Sequence, residues 1–290
     1  MRRQGEATGL LDLPPELLFD ILVHSLSHHL PLVNKHIFYT LRHASPFVRA
    51  QYILCRHYDT LYQTHGRPST QSVMDAALSY PMCTISIIEA LERISPPLLA
   101  LSSADRKRLG VTPGRWLFRN LQSHTKPKRR KPGRITSTLA PQSPLSDPLT
   151  FLEHLSAKYT LVFPEREAAL ALSTCVRAGP AQYSLLRFLL QAGADPGAKH
   201  CFALQVAATF GNMDAMKILI EPSESDVRKQ EEREGVTKGG KRRRVEDRVH
   251  PTSKVLLAAV KNKHTELAHW LIHEKGVVPD MTTMHMLQHM

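Results

Sequence analysis

The chain has 290 residues, 42% of them hydrophobic, with 20 prolines and a formal charge of +12. It can bury a sizeable core, but the prolines and two basic polar stretches divide it, so two or three helical units are expected rather than one globule. No run of 18 or more apolar residues occurs, and no apolar stretch follows the polar start MRRQGEATGL, which argues against membrane spanning and secretion and for a nuclear or cytoplasmic protein.

The first predicted element is LDLPPELLFDIL, Leu11 to Leu22. Pro15 suits a first helical position, where its missing N–H is harmless and its φ is already helical. Glu16 favours the positive helix end. Leu17, Leu18, Ile21, Leu22 and Leu26 then form an apolar stripe at helical spacing. After Ser27-His28-His29 a second helix is expected from near Leu30, through LPLVNKHIFYTLRHA, and a third over Phe47 to His57.

This order, headed by Leu13-Pro14-Pro15-Glu16-Leu17-Leu18 and Ile21-Leu22, resembles the F-box. The resemblance implies docking on a Skp-type adaptor of cullin-RING ubiquitin ligases, through the positions that match its docking surface: Leu13, Pro14, Leu17, Leu18, Ile21 and Leu22. The tryptophan often found near the end of that family's motif is lacking. An ordinary N-terminal helical cap, with the stripe packed on the following helices, is the alternative reading of the same residues.

In the middle, Ser72 to Ile94 reads as a helix pair broken at Pro81, with apolar faces from Ala76, Ala77, Ile85, Ile87, Ile88 and Leu91. Trp116-Leu117-Phe118 and Leu149 to Leu155 suggest further helical pieces. Between them KPKRRKPGR, Lys126 to Arg134, carries +6 and is followed by STLAPQSPLSDP, so it reads as an exposed polar linker. A second basic stretch, Asp226 to Arg248, holds nine basic and six acidic residues. Lys128, Arg129, Arg130 and Lys131, and Lys241, Arg242, Arg243 and Arg244, resemble nuclear-import signals, which need adjacent cations in accessible chain. An import receptor is the implied partner; solvated charged loops are the alternative, and nucleic-acid binding is disfavoured because the charge lies on linkers.

The richest stretch is Tyr183 to Ile220. Leu185, Leu186, Leu189 and Leu190 share one helix face, and Gly193 is suited to stop that helix in a left-handed C′ conformation. Asp195-Pro196 continues as a turn. Leu204, Ala207 and Ala208 then form a small-residue face, Gly211-Asn212 breaks the run, and Met216, Ile218, Leu219 and Ile220 begin another apolar stripe.

The phrases GADP, Gly193 to Pro196, and ALQVAATFGN, Ala203 to Asn212, resemble the ankyrin repeat, whose units of about 33 residues stack helix pairs and projecting fingers. A further copy aligns at Lys254 to Asp280, where Leu256 and Ala259 stand for Leu204 and Ala207, and Lys263-His264 for Gly211-Asn212. A weaker copy is expected at Glu167 to Gln191. The family's Thr-Pro-Leu-His opening is Phe202-Ala203-Leu204-Gln205 here, so stability should rest more on packing than on caps. Arg187 and Lys217 are 30 residues apart, about three short of the period, and Lys217 and His269 are 52 apart, about nineteen too many. One finger is therefore shortened and another carries an insertion. The resemblance places finger contacts at Ala194, Asp195, Gly197, Lys199, His200, Val277 and Asp280.

Cys55, Cys83, Cys175 and Cys201 form no CxxC pair, which suits buried reduced thiols rather than disulfides or zinc ligands. His24 and His28, and His285 and His289, are spaced i, i+4, but no carboxylate or cysteine completes a metal set. Nucleotide, zinc-protease and hydrolase motifs are absent, so neither a cofactor nor catalysis is expected. The expected protein is all-α, with an F-box-like helical head over 1–60, a degenerate helical region over 61–122, a basic linker over 123–148, and a diverged ankyrin-repeat solenoid within 149–290 interrupted by an insertion at 222–251. Its F-box-like head followed by ankyrin repeats is similar to a fungal F-box/ankyrin group. The implied role is non-catalytic recognition as an adaptor of a ubiquitin ligase; an interaction scaffold unrelated to ubiquitin is the alternative.

Overall fold

A computed structural model describes residues 9–27, 29–63, 70–119, 121, 147–222 and 247–288. These residues are mostly helical, and strand among them is confined to β1, Gly110–Val111, and β2, Thr160–Leu161, adjacent in one small sheet. No described helix is long and apolar enough to cross a membrane. The chain divides into two compact units, Met1–Val111 with Ala157–Thr160, and Thr112–Ser156 with Leu161–Met290.

The first unit begins with α1, Pro15–Ser25, which has Pro15 at its start as expected. It ends at Leu26, a left-handed residue with φ 51° whose carbonyl accepts a 3.2 Å hydrogen bond from the Arg56 guanidinium. The second predicted helix is two. α2, Leu30–Val33, stops at Asn34, whose backbone is extended and whose side chain accepts from the His36 amide at 2.7 Å, capping α3, Lys35–Arg42. An Asn side chain that satisfies an orphan N–H starts a new helix rather than continuing the old one.

The third helix, α4, runs Pro46–Gln63 and is longer than Phe47 to His57. It packs against α1, α5 (Thr70–Ser79) and α6 (Ile85–Ile94), burying Leu18, Ile37, Ile53, Met74, Leu78, Ile87 and Leu91. The break between α5 and α6 falls around Pro81 as the sequence suggests. Two short helices follow, α7 (Pro96–Leu99) and α8 (Ser103–Arg108).

One buried carboxylate ties a distant segment into this unit. Glu92 of α6 accepts from the Tyr159 hydroxyl at 2.8 Å and from the Lys158 ammonium at 3.0 Å, with the Arg106 guanidinium at 3.6 Å. The Thr160 amide adds a 3.1 Å bond to the Leu109 carbonyl. These bonds explain why residues 157–160 belong to the first unit while the chain on either side belongs to the second.

In the second unit α9 (Trp116–Arg119) and the Pro148 end of α10 (Pro148–Lys158) meet through Trp116 and Phe151, whose rings contact edge to face at 6.0 Å. The rest is three helix pairs: α11 (Glu165–Ala178) with α12 (Tyr183–Gln191), α13 (Ala198–Thr209) with α14 (Met213–Ile220), and α15 (Ser253–Lys261) with α16 (Thr265–His273). Their first helices form a row, α11 on α13 and α13 on α15, and α17, Met281–Gln288, extends it by packing on α15. Small residues make the close approach possible: Ala168, Ala171, Ala207 and Ala259 are fully buried.

Candidate interaction surfaces

One helix-ending turn recurs in the three pairs, after the second helix of the first pair and after the first helix of the second and third. After α12, the Ala194 amide bonds the Leu189 carbonyl at 2.9 Å and the Gly193 amide bonds Leu190 at 3.2 Å, with Gly193 at φ 94°. After α13 the same 6→1 and 5→2 bonds run from Asn212 to Ala207 and from Gly211 to Ala208, at 3.0 and 3.3 Å. After α15 they run from His264 to Ala259 and from Lys263 to Val260, both at 3.0 Å. Such turns satisfy carbonyls that a helix end leaves orphaned. Lys263 takes the left-handed position that Gly211 fills in the preceding pair, with φ 60° against 63°.

These turns hold the pairs together. The Asn212 carboxamide oxygen accepts from the Ala215 amide at 3.0 Å, capping α14, and from the Tyr183 hydroxyl at 2.6 Å. His264, at the position aligned with Asn212, turns its imidazole toward the preceding pair, with Nε2 3.1 Å from the Thr209 carbonyl.

The finger residues divide into supports and surface. Ala194 and Val277 were expected on the surface but are 3% and 7% exposed, because each follows a helix-ending glycine turn and folds back under it. Val278, 78% exposed, takes the outer position beside Val277. Asp195 is exposed and accepts from the Gly197 amide at 2.8 Å, while Gly197 is half-buried. Asp280 is exposed and accepts from the Thr283 amide at 2.8 Å, and hydrogen bonds from Thr283 hold its carboxyl below the ordinary value. Lys199 and His200 are exposed. With Cys201 they form three consecutive left-handed residues at the start of α13, φ 50°, 57° and 61°. The Lys199 amide donates to the Glu165 carboxylate at 2.9 Å, and the Gln205 carboxamide donates to the His200 carbonyl at 2.8 Å.

The described ends of the insertion are clamped. The Arg248 amide and guanidinium donate to the Ile220 and Ile218 carbonyls at 2.8 and 2.9 Å. The Lys275 ammonium reaches Asp247 at 2.9 Å and Glu221 at 3.1 Å, and lies 5.1 Å from the centre of the Trp270 ring. Burial by itself would lower the Lys275 ammonium, but its two carboxylate partners outweigh that and raise it above its ordinary value. Sequence reasoning missed this clamp.

In the head, the six-residue set separates. Leu18 and Leu22 are 0% and 7% exposed in the core of the first unit. Leu17 is 46% exposed, Pro14 is exposed, and Leu13 and Ile21 are half-buried. Leu10 and Leu11 are also exposed, so an apolar strip of this unit faces solvent. The import candidates Lys128 to Lys131 and Lys241 to Arg244 lie outside the described residues, as do His28 and His289.

The cysteines are unpaired with one another and mostly covered: Cys83, Cys175 and Cys201 are buried and Cys55 is half-buried. Burial pushes the Cys83 and Cys175 thiols up to about 12, so neither is a thiolate at neutral pH. Among the described residues no three His, Cys, Asp or Glu side chains are grouped to hold a metal ion. Compared with known proteins, the chain matches no family model, no curated protein and no solved structure.

Proposed function

We propose that the chain is a non-catalytic protein-interaction module, with a diverged ankyrin-type stack that holds one protein and an F-box-like head that docks on a Skp-type adaptor, so that the bound protein is presented to a cullin-RING ubiquitin ligase. The observation that carries the reading is the turn between the two helices of a pair, repeated at 207–212 and 259–264 within a row of three packed helix pairs. Repeated pairs of this kind fix a long surface through their core and leave the exposed positions to vary, which suits recognition. The head contributes Leu13, Pro14, Leu17 and Ile21 as the apolar positions left for an adaptor. Pull-down of the adaptor by the intact chain and by Leu17→Asp tests the ligase role. Retention by the intact chain and loss in the variant are expected; no binding by the intact chain, where a control F-box binds, overturns it.

A second reading is favoured by the burial of Leu18 and Leu22. In it the head is a helical cap whose stripe packs on its own chain, and the protein is a nuclear scaffold with no link to ubiquitin. Tagged protein then leaves the nucleus when Lys128 to Lys131 and Lys241 to Arg244 become alanine, and binds no adaptor. Unchanged distribution counts against the nuclear role.

A further inference from the structure

We propose that the exposed side of the helix row α11, α13 and α15 binds an acidic peptide segment carrying apolar anchors. The proposal rests on the protein-binding reading above and gives that partner its chemistry. Register along the row is set by matching helix ends, where the Gly179, Gly211 and Lys263 amides bond the Val176, Ala208 and Val260 carbonyls. In that register Leu170 of α11 corresponds to Phe202 of α13, as Gly179 corresponds to Gly211, and Lys254 of α15 follows Phe202 as Leu256 follows Leu204.

Leu170 and Phe202 are 41% and 37% exposed, on helices whose other large apolar side chains are mostly buried. Leu257 of α15 is half-buried. Two apolar side chains at corresponding positions of neighbouring helices stand about 10 Å apart, one helix-to-helix step. A pair set at that spacing suits two anchors of one bound segment.

The surrounding charge is mainly positive. Arg166 and Arg177 of α11, Lys199 of α13, and Lys254 and Lys261 of α15 are all exposed. α13 and α15 contain no Asp or Glu. The two carboxylates of α11 are already engaged, Glu165 by the Lys199 amide and Glu167 by the Arg115 guanidinium. Five exposed cations on this face thus stand against two carboxylates, both on α11, and a partner that brings further carboxylates gains attraction and steering. Anchoring by an aromatic and a leucine favours a peptide over nucleic acid, whose affinity comes chiefly from phosphate contacts.

The test is selection of a random peptide display library on the full-length chain, then fluorescence titration of the selected peptides against the intact protein, Phe202→Ser, Leu170→Ser and the double variant Lys254→Glu/Lys261→Glu. All four side chains are exposed, and thermal melts by circular dichroism identify any variant that has lost its fold. The expected peptides are rich in Asp and Glu with two apolar residues at fixed spacing. Each variant should bind them at least about tenfold more weakly, and binding should weaken with added salt. Selected peptides that are basic, or that bind the folded variants as well as the intact chain, overturn the proposal and leave the protein-binding reading standing. A library that yields no binder also overturns it, and the wider reading is then decided by the pull-down above. Single-stranded DNA that binds, is lost in Lys254→Glu/Lys261→Glu and is indifferent to Phe202→Ser would assign the face to nucleic acid and overturn the peptide.

Discussion

The imidazole of His264 fills the space that a side chain on Gly211 would need. A Cβ built on Gly211 would stand 2.5, 2.6 and 2.9 Å from three atoms of that ring, at a residue whose φ is +63°. Two independent requirements thus meet at one glycine: left-handed backbone at the end of α13, and close approach of the next pair's turn.

Gly211→Ala should therefore cost more than its backbone alone. Gly193 has the same left-handed geometry, φ +94°, with nothing within 4 Å of a built Cβ. Gly193→Ala should lose only the conformational cost, about 1 kcal/mol, and Gly211→Ala about 2–4 kcal/mol with overpacking added. Urea denaturation of both variants measures the difference, and Gly211→Ala/His264→Ala should recover part of it. Equal losses at the two glycines would refute the steric role of His264.

How far this was legible in the sequence depends on how local each cause is. Gly193 and Gly211 could be read as helix ends because the turn they make is completed within six residues. Lys263 was aligned with Gly211 by spacing, although nothing in a lysine announces left-handed backbone, and the same holds for Lys199, His200 and Cys201. The Asn34 break was missed because asparagine is tolerated inside a helix, and its role as a cap depends on a single side-chain bond. Periodicity drew Leu17, Leu18, Ile21 and Leu22 onto one stripe, but which edge of that stripe meets α4 is decided by tertiary packing. The Lys275 clamp and the Glu92 cluster were invisible for a simpler reason: each joins residues far apart in sequence.

Lys275→Met should loosen both ends of the insertion together. It leaves Asp247 and Glu221 without their shared cation, at a cost of about 1–2 kcal/mol, reduced because Glu221 is 45% exposed and partly screened. Hydrogen exchange should accelerate at the Arg248 amide, which is bonded to Ile220. Unchanged exchange there would show that the backbone bonds hold the ends without the ammonium.

Alkaline unfolding should report on Tyr159. Burial, followed by the hydrogen bond to Glu92, raises its hydroxyl well above the usual tyrosine value. The folded state thus keeps a proton that the unfolded state releases from about pH 10 upward, so stability contributed here is full below that pH and declines above it. Tyr159→Phe should be less stable than the intact chain at pH 7, by about 1–2 kcal/mol for the lost buried hydrogen bond. Its stability should then fall less steeply between pH 10 and pH 12. Parallel pH profiles for the two proteins would rule out this origin.

The head separates folding from docking at two adjacent leucines. Leu18 is fully buried against the core of the first unit, and Leu17 is 46% exposed on the same helix. Leu18→Ala removes buried methyl groups and should cost about 2–5 kcal/mol, whereas Leu17→Ala should stay within about 0.5 kcal/mol. Adaptor binding, if the head provides it, should follow the opposite order per unit of folded protein: Leu17→Ala weakens capture while melting normally, and Leu18→Ala reduces it only through the folded fraction. Thermal melts alongside quantitative pull-downs distinguish the two effects. If Leu17→Ala melts normally and captures the adaptor undiminished, the exposed edge of α1 is not the docking surface, and the cap reading of the head gains the ground it loses.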